Sequence, residues 1–229
     1  MKKLFSNLRG IGIFFTAKPT DFKKEAITPE EALINALPEL RSDRLTLQLI
    51  HTWLRDNADL LHAEALQRKI ESIESATDLA FLASLLELSD DKRLIAVALK
   101  IKYSKNGIND QLDKTLWLAA KFGQCRFDPV FEKHGLKVSE LQFEDEKKFI
   151  PRKYFVQDNP FFLCRTLFGS NWRADVAAIL LIRDMNPTEI SKELGCSYET
   201  AHRNYQSLKA AGWPRIEIKQ LNKHVSNEI

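Results

Sequence analysis

The chain has 229 residues, 44% hydrophobic and 28% charged. That balance excludes an intrinsically disordered protein and leaves room for one large domain or two ordinary ones. Eight glycines and eight prolines are too few for the turns of a sandwich or barrel, and a net charge of +3 argues against non-specific coating of DNA while permitting a local contact.

Residues 1–27 form a basic arm, with Lys2, Lys3, Arg9, Lys18, Lys23 and Lys24 against Asp21 and Glu25. It reads as a solvated segment pinned by Phe14 and Phe15, the sharper alternative being a phosphate-contacting arm. Arg9 breaks its apolar run and no small-residue cleavage site follows, which speaks against a signal peptide. No apolar run is long enough to span a membrane.

Residues 28–123 are helical almost throughout, as a bundle or a short stack of helix pairs. Thr28 caps the first helix, with Pro29 at its first position and acids in its first turn. "DRLTLQLIHTWLRDN" places Leu45, Leu49 and Trp53 four apart, and Ser89 is the expected cap of "DDKRLIAVALK". "QLDKTLWLAAKFG" is expected to be a helix ending at Gly123, with Trp117 and Trp53 as core anchors. Residues 124–159 break the pattern with prolines, charge and scattered aromatics. They read as a connector holding a short helix and one extended piece around Lys153–Val156.

The final unit, 160–229, is helical again. "PFFLCRTLFG" closes at Gly169, and "SNWRADVAAILLIRDM" starts near Ser170 or Asn171. In "NPTEISKELGCSYETAHRNYQSLKAAGW", Asn186 is a cap, Pro187 opens the helix, and Glu189 can reach back to the cap. Gly195 supplies a left-handed helix end, Ser197 caps the next helix, and Ala201, Tyr205 and Leu208 form its inward stripe. Ser197, Tyr198, Glu199, His202, Arg203 and Gln206 project from the other side. A displayed helix of this kind suits the major groove.

"TEISKELGCSYETAHRNYQSLKAAG" resembles the helix-turn-helix of bacterial winged-helix transcription regulators of the MarR-like and ArsR-like kind. Glu189-Ile190, Leu194-Gly195, Ser197, Thr200, Arg203, Leu208 and Ala211-Gly212 carry the likeness. It covers about residues 170–221. It implies that His202, Arg203 and Tyr198 face bases or phosphates, with Ser197 and Thr200 near the backbone. Two positions depart from the pattern: Ala201 stands where a larger aliphatic is common, and Asn204 where a small apolar residue is usual. The wing is minimal, since only "NKHVSNEI" follows the alternating "RIEIKQL".

The expectation is therefore a mainly α protein with an N-terminal helical unit for dimerisation or sensing. Its C-terminal unit would read double-stranded DNA with helix 197–211, and a two-fold dimer is the usual way to read paired half-sites. Residues 160–229 carry nine Lys/Arg and seven Asp/Glu, so a single copy should bind weakly. The alternative is a protein-interaction module, antitoxin-like or a scaffold, in which the corner is structural. Single-stranded RNA binding lacks an aromatic platform on a sheet.

Cys125, Cys164 and Cys196 are odd in number and lack CxxC spacing, which argues against a disulfide framework or structural zinc and for a reducing, cytoplasmic setting. His51, His62, His134, His202 and His224 show no metal spacing; His51 and His62 read as packed or surface residues. No GxSxG, phosphate loop or HExxH is present. Cys125 and His134 are close in sequence, which is poor support for a catalytic pair. Neither an enzyme nor a cofactor is expected.

Overall fold

The computed structural model of the protein describes residues 2–13, 26–102 and 126–214. Among these residues it is mainly α, with twelve α-helices and no strand, and two isolated antiparallel bridges join Ile13 to Phe149 and Phe127 to Ser139. The expected helix at 111–123, with Trp117 and Gly123, lies outside the described residues, as do Phe14, Phe15, Cys125, His224 and the wing segment 215–229. No described helix is long and apolar enough to cross a membrane.

Helix α1 (Lys2–Gly10) precedes α2 (Pro29–Ala36), α3 (Arg44–Asn57), α4 (Ala63–Ile70), α5 (Ala76–Leu88) and α6 (Lys92–Ala98). Polar caps start most of these. Thr28 accepts from the Glu31 amide, Asp43 from Leu45 and Thr46, and Ser75 from Asp78, satisfying amides that a first helical turn leaves free. Helix α6 starts two residues later than Ser89 implied. Asp90 takes a left-handed conformation (φ 57°), and Asp91 accepts from the Arg93 and Leu94 amides. The Ser89 hydroxyl instead donates to the Leu86 carbonyl at 2.7 Å.

These helices share one core with part of the connector. Leu8, Ile11 and Ile13 of the basic N-terminal segment are buried in it. The connector folds as α7 (Pro129–Lys133) and α8 (Arg152–Asp158). Lys153–Val156 is thus helical rather than extended, because Phe155 and Val156 are drawn together into the core and Pro151 precedes the helix. Leu45 is 37% exposed although Leu49 and Trp53 are buried. The Trp53 indole donates to the Ile11 carbonyl at 2.7 Å, giving the large ring its polar partner. Gly12 sits at φ 92°, and a Cβ there would come within 2.7 Å of the Phe155 ring, so only glycine fits both backbone and neighbour.

A second core is built from α9 (Pro160–Phe168), α10 (Trp172–Ile182), α11 (Pro187–Leu194) and α12 (Tyr198–Ala210), with Ala65 of α4 and Trp213. Helix α9 is the wall between the two cores. Neighbouring residues on a helix point about 100° apart, so Phe161 enters the second core while Phe162 enters the first. The Phe162 ring lies 5.2 Å from Phe155 and 6.3 Å from Trp53, centroid to centroid.

Phe162→Ala should therefore destabilise the protein by about 3–5 kcal/mol, read as a lower urea midpoint. Leu99→Ala, at a 70% exposed position, should move it by no more than about 0.5 kcal/mol. Equal effects would contradict this placement of α9.

Candidate nucleic-acid interface

Helices α11 and α12 meet at a three-residue corner, Gly195 to Ser197, whose carbonyls are met by nearby groups. Asn186 accepts from the Thr188 and Glu189 amides, and Glu189 returns a bond to the Asn186 amide at 2.9 Å, completing a capping box. Gly195 ends α11 at φ 68°. The Ser191 hydroxyl donates to the Cys196 carbonyl at 2.8 Å, and Arg68 of α4 donates to the Gly195 carbonyl at 2.6 Å. The same guanidinium lies 5.3 Å from the Trp172 ring. Ser197 then starts α12 by accepting from the Thr200 amide at 3.2 Å.

Helix α12 has two unlike faces. Ala201 and Leu208 are buried and Tyr205 packs beside them on the second core. Fully enclosed, Ala201 fills its site without the larger aliphatic of the resembled pattern, and Asn204 donates to the Thr200 carbonyl at 2.9 Å. On the outer face Tyr198, Glu199, His202, Arg203 and Gln206 are exposed. Tyr198 and His202 stack at 5.6 Å between centroids, and the Gln206 amide lies 3.5 Å from His202 Nε2. Ser197 and Thr200 are engaged with each other, hydroxyl to hydroxyl at 2.8 Å, which leaves them partly occupied at the helix start. Arg203 has no side-chain partner among the described residues.

What joins α9 and α10 to the helical unit is a buried charge cluster. Arg165 of α9 sends Nε to Asp175 of α10 at 2.8 Å, Nη1 to Glu30 of α2 at 2.8 Å and to the Leu60 carbonyl at 2.9 Å, and Nη2 to Glu30 at 3.0 Å. All three charged side chains are essentially inaccessible. His62 Nδ1 lies 2.7 Å from the second Asp175 oxygen, and the His62 amide donates to Glu30 at 2.6 Å. Burial disfavours the Arg165 cation, but Asp175 and Glu30 outweigh it and raise its pKa. Burial likewise opposes ionisation of Asp175, yet Arg165 and the His62 bond hold its carboxyl below the usual range.

The cluster was not anticipated, and the signal for it is a charged residue inside an apolar run: Arg165 in "PFFLCRTLF" and Asp175 in "WRADVAAILLI". Cys164 and Cys196 are free and buried. Burial pushes the Cys164 thiol up to about 12 and also raises Cys196, so neither is a ready nucleophile. His134 is bonded to Glu87 at 2.9 Å. Among the described residues no group of His, Cys, Asp or Glu is arranged to hold a metal ion. Compared with protein-family models, with curated proteins and with solved structures, the chain finds no match in any of the three.

Arg165→Met should cost about 3–5 kcal/mol, because it leaves two buried carboxylates without their cation. Asp175 also predicts an acid dependence. Its folded pKa lies below the unfolded value, so its contribution is present above about pH 4 and is lost as pH falls through the depressed value. Urea midpoints from pH 6 to pH 3 should fall more steeply in wild type than in Asp175→Asn; parallel curves would contradict the pairing.

Proposed function

We propose that the protein is a DNA-binding regulator that reads the major groove of duplex DNA with α12, in the manner of the helix-turn-helix regulators its C-terminal sequence resembles. The observation that carries this is the division of α12. One face is committed to the core, and the other presents exposed Tyr198, His202 and Gln206 at four-residue spacing, flanked by Glu199 and the unpartnered Arg203. Side chains of these types can bond base edges, and Arg203 suits a guanine or a phosphate. Ser197 and Thr200, at the amino end, lie where a DNA backbone would pass. The helical unit of α1–α8 would serve dimerisation or sensing, and two copies would compensate for the weak charge of one.

The second reading, a protein-interaction module, is favoured by Tyr198, an aromatic ring 55% exposed on a unit with little net charge. Fluorescence anisotropy on duplex DNA across a salt series separates the two. Under the DNA reading, wild type binds at low salt and weakens steeply as salt rises. Arg203→Ala then loses about 1–3 kcal/mol of affinity at the preferred sequence if the guanidinium reads a base. If it touches only phosphate, the loss is uniform across sequences and the salt slope shrinks by about one. Absence of low-salt binding, or binding indifferent to Arg203→Ala, would remove α12 as the reader.

A further inference from the structure

A cleft of about 400 Å³ opens between the helical unit and the helix-turn-helix unit, bounded by α2 and α4 on one side and by α9, α10 and α11 on the other. That is within the size range of small-molecule sites, which favour such junctions between units. Its apolar lining includes Ala65, Phe161, Trp172, Ile179, Ile182 and Leu194. Its least exposed lining residues are Glu30, Arg165 and Asp175, whose charges are spent on one another. Arg183 is likewise paired with Glu193.

Two lining charges are left. Lys69 of α4 and Glu31 of α2 both border the cleft, and neither side chain has a hydrogen-bonded or ionic partner among the described residues. They are of opposite sign and do not pair with each other. An anionic ligand would match Lys69 but meet Glu31 as a like charge, and a cationic ligand would do the reverse. A molecule bearing both charges on an apolar body satisfies the two together and buries its remainder against the Phe161, Trp172 and Ile179 walls.

We propose that this cleft binds a small zwitterion with an apolar side chain, of the α-amino-acid class. The carboxylate faces Lys69, the ammonium faces Glu31, and the side chain lies among the aromatic and aliphatic lining. The two charges select against ligands that carry only one. The site stands apart from the DNA-reading proposal, and its test contains no DNA.

The full chain is titrated with L-leucine, L-phenylalanine and L-tryptophan to millimolar concentration, by calorimetry and by thermal melting. At least one should bind saturably at one site per chain. The N-acetyl and carboxamide forms of that amino acid, each lacking one charge, should bind about tenfold more weakly or worse. Lys69→Met and Glu31→Gln should produce losses of the same order, with circular dichroism confirming that both variants remain folded. Ala65→Trp, which fills the cleft from α4, should abolish binding. The proposal is overturned if none of the three amino acids binds saturably by either method. It is equally overturned if binding ignores both substitutions at Lys69 and Glu31.

Discussion

The guanidinium of Arg165 is the one group on which the arrangement of the two cores depends. It stands on the helix shared by both, fully enclosed, and spends four hydrogen bonds on Glu30, Asp175 and the Leu60 carbonyl. A charge removed from water in this way costs several kcal/mol unless its geometry is met nearly completely, so positions of α2, α9 and α10 that spoil the bonds are penalised. Apolar contact alone would tolerate sliding; a bidentate guanidinium–carboxylate pair does not. The cluster therefore adds orientation to the stability that Phe161, Phe162 and their neighbours supply.

That orientation reaches the candidate interface through short links. Asp175 lies on α10, which packs against α12, and His62 packs edge-on against Trp172 at 4.4 Å between ring centroids. Arg68 stands on α4 but bonds the carbonyl of Gly195 in the corner itself. The helical unit thus touches the α11–α12 pair at its base and at its turn, while the outer face of α12 stays free. A rigid base with an exposed polar face is what a reading helix requires, since each side chain must meet its target without further ordering. The cleft beside Arg165 lies along the same junction, so an occupant would act on the surfaces that set the position of α11.

Local signals in the sequence were enough to locate the corner. Asn186, Pro187, Glu189, Gly195 and Ser197 each act within four residues of themselves, and each takes the role its chemistry implies. The burial of Ala201 and Leu208 follows from helical spacing in the same way. Positions decided by distant partners were not legible. Lys153–Val156 looked extended beside Pro151, yet Phe155 and Val156 gain a core built largely by residues more than fifty positions earlier. Ser89 lost the cap of α6 to Asp91 through the backbone turn at Asp90. Arg165 and Glu30 are 135 positions apart, and no periodicity links them.

The most direct test of the account is a nitrogen–proton correlation spectrum of the full chain, titrated with a duplex of mixed sequence at low salt. Residues 197–207 should show the largest progressive shifts, with Arg203 and His202 foremost, while amides of α3 and α5 in the first core remain in place. Shifts concentrated on the helical unit, or no shifts anywhere at saturating duplex, would contradict the assignment of α12 as the DNA-reading element.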